Sequence, residues 1–277
     1  MRAHRCILFT PANDERKIKK LDAIAVEAVV LDLEDSVPTE EKAKARQQIK
    51  EAIPRLKEKK EIGVRINSLD TKFWLHDILE TYQSSPAFYV IPKVRSEQQV
   101  VTVSEVLKAL NFDVPLIIAI EDAEGLSRVF EIANSCDQLA AIMFGKIDFN
   151  ASVGGEEGNY AEMLARAMIS LAASTRGLQA IDAPCVELND LKKVEDEAKL
   201  AKSMGYTAKM AIHPAQIDVI NRIFMPSNEE INLAKKIFEI YETAKKKGVG
   251  AIRLENKMID EAVFKQAVRI LQRAGII

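Results

Sequence analysis

Eight short apolar runs rich in β-branched residues recur along this chain, and most of them stop at a charged or polar side chain. They are Cys6–Phe9 leading to Thr10, Ala28–Leu33 to Glu34 and Asp35, Gly63–Ile66 around Arg65 and Asn67, and Phe88–Ile91 to Lys93. Leu116–Ile120 then leads to Glu121, Ala140–Phe144 to Asp148, Leu178–Ile181 to Asp182, and Lys209–Ile212 to His213. Continuous apolar runs suit strands buried on both faces, and the longer helical patterns between them suit crossovers. The economical reading is an α/β chain whose parallel sheet closes as a (β/α)8 TIM barrel. On such a barrel the residues just past each strand form the active face, so Arg65, Glu121 and Asp148 should converge there although they are distant in sequence.

At 277 residues the chain has room for one barrel of about 250 residues and a small appendage. The alternation of strand and helix stops near Pro226, so residues 1–226 read as the catalytic barrel and 227–277 as a C-terminal helical extension or lid. Lys plus Arg number 39 against 41 Asp plus Glu, which offers no basic footprint for a nucleic acid. Cys6, Cys136 and Cys185 are scattered and lack C-x-x-C spacing, which argues against a disulfide framework and for a reducing cytoplasm. No window approaches the roughly 18 apolar residues of a membrane span, and the N-terminus runs into a strand without a signal-like apolar region.

Helical patterns cover Asp14 to about Ala25, with Asn13 as cap, and Thr39 to about Lys57, with Pro54 suggesting a late kink or break. Others cover Ser96–Leu110, Gly125–Asn134, Tyr160–Arg176 and Asp190–Met204, the last closed by Gly205. In the extension, Asn228–Lys247 and Asp260–Ala274 flank the link Gly248–Lys257. The glycine-rich stretch Ser152–Asn159 reads either as a mobile loop at the active face or as a plain connection.

Glu121 and Asp148 follow consecutive strands. Two hard oxygen ligands leave most of an octahedral shell to water and substrate, as Mg²⁺ sites usually do; the competing role is that of helix-start carboxylates on separate loops. With only His4, His76 and His213, and none at ligand spacing, zinc is poorly supported. Arg65 in an apolar strand requires a partner, either a substrate carboxylate held by its bidentate fork or a salt bridge to Glu34, Asp35 or Glu121. Alternation turns Asp32 and Glu34 to one side and Leu33 and Asp35 to the other. One of these carboxylates could orient Arg65 or metal-bound water, with capping of the following loop as the competing role, and Lys93 could pair with them. Arg16 and Lys20, four apart on one helical face, either meet phosphates or form a solvated basic face. Phosphate-loop, dinucleotide and nucleophile-elbow motifs are missing from the sequence.

The stretches Leu8-Phe-Thr-Pro-Ala-Asn, Leu31-Asp-Leu-Glu-Asp-Ser-Val, Val64-Arg-Ile-Asn, Ile91-Pro-Lys-Val, Ile120-Glu, Phe144-Gly-Lys-Ile-Asp, Ala211-Ile-His-Pro-Ala-Gln-Ile and Lys257-Met-Ile-Asp, in this order, resemble the citrate lyase β-subunit-like (CitE-like) enzymes. These belong to the HpcH/HpaI aldolase group with malyl-CoA and citramalyl-CoA lyases. The resemblance implies a Mg²⁺-dependent carbon–carbon lyase acting on a coenzyme A thioester, usually a homotrimer or hexamer, with citrate lyase partner subunits as an option. It implies Glu121 and Asp148 as metal ligands that also meet substrate, and Arg65 as the carboxylate anchor. Glu34 and Asp35 stand, on the reading of the residues themselves, as further catalytic candidates. Asp260 would be an acid/base reaching a neighbouring subunit, and Arg16, Lys20 and His213 would receive the coenzyme. Ala12, Asp122 and Asn256 depart from the family's usual glycine, threonine and glycine. A malyl-CoA-type thioesterase and a coenzyme A-independent aldolase are rival uses of the same site.

Overall fold

The computed structural model describes residues 4–246, 252–254 and 257–277. Asn256 and most of the link Gly248–Lys257 lie outside the described residues. By compactness the chain divides into two units, Met1–Asn221 and Arg222–Ile277.

In the first unit eight parallel strands close into a barrel in sequence order: β1 Cys6–Pro11, β2 Ala28–Asp32, β3 Glu61–Arg65, β4 Phe88–Ile91, β5 Leu116–Ile120, β6 Leu139–Phe144, β7 Gln179–Asp182 and β8 Ala208–Ala211. Pairing of β8 with β1 closes the ring. Each strand matches one apolar run, because a strand covered by helices outside and side chains inside has no wet face to interrupt it. The interior is packed by Ile7, Ala28, Val30, Phe88, Val90, Ile117, Ala119, Ala141, Met143, Ile181, Ala208 and Met210. Gly63 makes room for the ring of Phe88: a Cβ on Gly63 would stand 2.1 Å from it. Following the same alternation toward the C-terminal ends, the next inward positions are Asp32 after Val30, Arg65 after Gly63, and Glu121 after Ala119. The chemistry therefore sits as a charged layer on top of an apolar plug.

The helices differ in detail from the sequence reading. Asp14, not Asn13, caps Glu15–Lys20 by accepting from Lys17 N, and a 3₁₀ turn Leu21–Ala23 completes that segment. Pro54 breaks nothing, since Lys42–Leu56 runs through it and ends two residues later, where few backbone bonds remain to be lost. Gly125–Asn134 is two short helices, Ala123–Ser127 and Val129–Ile132. Helices Trp74–Thr81 and Ile217–Phe224 were not anticipated. Lys146–Val153 is also helical, and it carries Asp148 in its first turn. The stretch Ser152–Asn159, read as a mobile loop or a plain connection, is partly this helix. The rest is tied by hydrogen bonds from Gly155 N to Asn150 O (3.0 Å) and from Gly158 N to Glu162 (2.9 Å).

The second unit packs helix Asn228–Lys246 against helix Glu261–Arg273. Between them in sequence runs an antiparallel ribbon of β9 Ile252–Leu254 and β10 Lys257–Ile259. Ala234, Ile237, Tyr241, Ile259, Ala267 and Leu271 form its core, and Phe264 stacks on Phe238 and Tyr241. No helix among the described residues is long and apolar enough to cross a membrane.

Candidate active site

The parallel register sets Asp32 directly beside Arg65. Arg65 donates from Nε to Asp32 Oδ1 at 2.6 Å and from Nη2 to Oδ2 at 2.8 Å. Its bidentate side edge is thus taken by Asp32, one of the carboxylates read as able to orient it, and not left for a ligand. Nη1 lies 3.0 Å from Glu34 Oε2, and the guanidinium stands over the Phe9 ring. Lys93 Nζ is 2.7 Å from Glu34 Oε1 and 2.9 Å from Asp35 Oδ1. The Glu34 contacts are at ion-pair distance without hydrogen-bond alignment, so both buried oxygens of Glu34 keep free lone pairs. Lys93 has φ of 52°, a left-handed backbone that a lysine adopts at a cost, here at the rim of the site.

Burial opposes ionisation of Asp32, yet the charge and hydrogen bonds of Arg65, with Ser36 and Glu34 N, outweigh it and hold its pKa below the usual value. At Glu34 burial wins: its pKa is raised, with Asp35 adding to the effect and Arg65 and Lys93 only partly offsetting it. The end of β2 thus carries one firmly ionised carboxylate and, two residues on, one that holds a proton more readily.

Glu121 directly follows β5 and is almost fully buried, and its Oε2 has no hydrogen-bond partner. Burial, then Glu34, and further on Asp148 push its pKa up to about 8 against the opposing pull of Arg65 and Lys93. Gly145, between β6 and the helix Lys146–Val153, allows this approach, because a Cβ there would stand 2.4 Å from Glu121 Cγ. Asp148 is exposed, on the first turn of that helix. An orphaned buried carboxylate oxygen with a second carboxylate near enough to raise its pKa fits a divalent cation, which would satisfy the lone pairs and offset the burial and the Glu34 and Asp148 charges that push the Glu121 pKa up. Among the described residues no three of His, Cys, Asp and Glu gather as ligands, so a cation here would draw on Glu121 and Asp148 and leave its other positions to water or substrate.

A buried polar web fixes this layer from behind. Lys42 Nζ donates to Leu33 O, Glu34 O and Asn67 Oδ1 at 2.8, 3.0 and 2.6 Å. Asn67 in turn donates twice to Asp77 Oδ2, whose other oxygen meets Arg46. Sequence reasoning missed Lys42, Arg46 and Asp77; the only signal was a set of charges on the inner faces of amphipathic helices.

Arg16 and Lys20 are exposed on helix Glu15–Lys20 just past β1. His213 follows β8 and accepts through Nδ1 from Ala215 N at 3.2 Å. Asp260, in the second unit, caps helix Glu261–Arg273 by accepting from Val263 N at 3.0 Å. Burial pushes the Cys6 thiol up to about 12 and the Cys185 thiol up to about 11, so neither is a thiolate nucleophile. A cleft lined by Ser104, Lys108, Asp113, Cys136, Gln138 and Arg176 opens near the starts of β5 and β6, the opposite end of the barrel, and shares no group with this site.

Residues 5–214 match the model of the HpcH/HpaI aldolase/citrate lyase family, and residues 156–277 match that of a C-C bond lyase of the TIM-barrel fold. The L-malyl-CoA/beta-methylmalyl-CoA lyase of Cereibacter sphaeroides (strain ATCC 17025 / ATH 2.4.3) is 34% identical over 305 aligned positions, covering 100% of this chain and 96% of that one. The citrate lyase subunit beta of Escherichia coli (strain K12) is 31% identical, covering 99% and 94%. The crystal structure of CitE from Mycobacterium tuberculosis in complex with magnesium, acetoacetate and coenzyme A superposes with a TM-score of 0.79 at 28% identity, covering 99% of this chain and 98% of that one. With a closed eight-stranded parallel barrel, a charged layer at its C-terminal rim and these full-length relatives, the chain belongs to the HpcH/HpaI aldolase/citrate lyase family.

Proposed function

We propose that this chain is a Mg²⁺-dependent carbon–carbon lyase that cleaves, or in reverse forms, a 3-hydroxy-dicarboxylic acyl-coenzyme A of the malyl, citramalyl or citryl type. The products are a 2-oxo acid and an acetyl thioester. The observation that carries the reading is the juxtaposition at one rim of Arg65, set by Asp32 and Glu34, with an unpartnered buried Glu121 under the charge of Asp148. Full-length relatives named as malyl-CoA and citrate lyases, and a neighbour bound to magnesium and coenzyme A, support it.

Asp32 locks the side edge of the Arg65 guanidinium, so the substrate carboxylate is received at the Nη1 corner, where Glu34 makes only an ion pair. In the cleavage direction the C3 hydroxyl loses its proton, the C2–C3 bond breaks, C3 becomes the carbonyl of the 2-oxo acid, and C2 leaves as the enolate of the thioester. Glu34, buried and with its pKa raised, is the group placed to hold that proton, with Lys93 and Asp35 fixing its orientation. Mg²⁺ held by Glu121 and Asp148 would supply electrophilic stabilisation of the substrate oxygens. Asp260 of a neighbouring copy protonates the enolate carbon, or takes a proton from it in condensation. Arg16, Lys20 and His213 receive the coenzyme. The reading includes a cytoplasmic homotrimer or hexamer, free or joined to citrate lyase partner subunits.

The test is product analysis. The protein is incubated with Mg²⁺ and malyl-, citramalyl- or citryl-CoA, and glyoxylate, pyruvate or oxaloacetate is assayed together with acetyl-CoA. Formation of a 2-oxo acid with acetyl-CoA, lost in Asp148→Asn, is the expected result. Free thiol with intact hydroxy acid would make the protein a thioesterase and overturn the reading, as would turnover only of hydroxy-oxo acids lacking coenzyme A.

A further inference from the structure

Lys146 is the first residue of the helix that carries Asp148, a position where the helix dipole disfavours a cation, and it is 3% exposed. Its Nζ donates to Glu157 at 2.5 Å and to Glu197 at 2.9 Å. Glu197 accepts from Lys209 at 2.8 Å, and Lys209 donates to Asp182 at 2.7 Å. Asp182 accepts from Arg166 at 3.0 Å; Arg166 pairs with Glu162. Glu162 accepts from Asn150 at 2.8 Å, and Asn150 belongs to the same helix as Lys146. The chain of contacts is therefore a closed ring that leaves the helix at Lys146 and returns to it at Asn150. It passes through β7, β8 and the helices Tyr160–Arg176 and Leu191–Ser203. Lys146 and Asn150 are four residues apart and share a helical face, whereas Asp148, two residues from each, points the other way.

We infer that Lys146 and Asn150 are positioning residues: the buried ring they close fixes the rotation of helix Lys146–Val153 about its axis and so aims Asp148 at Glu121. The inference rests on the reading of Asp148 as a metal ligand. Neither residue touches the reacting atoms. Their contribution is to hold one of two ligands at its angle, so that the cation finds the pair already assembled. Glu157 extends the device to the glycine-containing turn, because it accepts from Lys193 as well as Lys146 and ties residues 154–159 to the same ring.

The experiment titrates the full chain with Mn²⁺ alone, followed by electron paramagnetic resonance, in the parent, Asp148→Asn, Lys146→Met and Asn150→Ala. Thermal unfolding is recorded for each by circular dichroism. Both positioning variants are expected to unfold cooperatively yet bind Mn²⁺ about tenfold or more weakly, and to recover turnover number when Mg²⁺ is raised. A folded Lys146→Met or Asn150→Ala that binds Mn²⁺ within about twofold of the parent overturns the inference. If Lys146→Met fails to fold because it strands two carboxylates, Asn150→Ala, which deletes only a neutral amide, decides alone. Parent-like Mn²⁺ binding in Asp148→Asn would instead sink the metal reading, and the inference with it. Loss in Asp148→Asn with no loss in the positioning variants would sink the inference alone.

Discussion

Replacing Glu121 with glutamine should change how the metal-free protein responds to pH, and the size of the effect follows from where the carboxyl sits. Its pKa lies near 4.5 in the unfolded chain and about 8 in the folded one. Between those values the native state binds the extra proton, so stability falls as pH rises, by about 1.4 kcal/mol per pH unit and roughly 5 kcal/mol in full. The penalty is absent below the unfolded value and complete above the folded one. Glutamine keeps the shape and removes the charge. In chelator-treated protein, parent stability relative to Glu121→Gln should therefore drop by ~3 kcal/mol between about pH 5.5 and 7.5, read by urea denaturation with circular dichroism. Excess Mg²⁺ should stabilise the parent at the higher pH and leave the variant unmoved, because the cation requires the ionised carboxylate. A parent-to-variant difference that stays constant across this range would refute the assignment of Glu121 as the strained, unpaired carboxylate of the site.

Arg65→Lys keeps a cation near Asp32 but loses the fork, and should cost about 2 kcal/mol or more of transition-state binding, seen as a fall in kcat/KM dominated by KM for the thioester. Gly63→Ala drives a methyl group into the Phe88 ring at 2.1 Å; a loss of roughly 3 kcal/mol in denaturant unfolding or outright insolubility is expected, with no selective effect on Mg²⁺ affinity. Asp260→Asn preserves the cap on helix Glu261–Arg273 and should leave stability within ~0.5 kcal/mol, while lyase turnover drops by about two orders of magnitude.

The strands could be read from sequence because a doubly covered strand is written as one uninterrupted apolar run, and β4 and β5 coincide with theirs. Trp74–Thr81 escaped notice because Phe73 provides no side-chain cap and only eight residues carry the pattern. Asp148 was legible as a residue, and its helix-start reading holds, but the extent of helix Lys146–Val153 was not read, since Gly145 supplies no side-chain cap to announce it. Arg65 was legible as needing a partner. Which partner could not be known, because Asp32 and Arg65 become neighbours only through the register of β2 with β3. The ring through Lys146, Glu197, Lys209, Asp182 and Arg166 spans five elements, and nothing in one dimension marks charges as buried together. The placement of Asp260 in the second unit as a helix cap explains its aspartate locally, so its catalytic part rests on the family resemblance and on the variant above.

The apolar plug has a consequence for what can be accommodated. With Phe88 seated against Gly63 and Val30, Val90, Ala119 and Met143 filling the space beneath Asp32, Arg65 and Glu121, the cup has a solid floor. A longer acyl substituent gains no room by reaching downward; it must spread sideways under the loops or back toward solvent. Selectivity among homologous acids is then a matter of the rim's width, and widening it calls for changes in the loops while the barrel staves stay as they are.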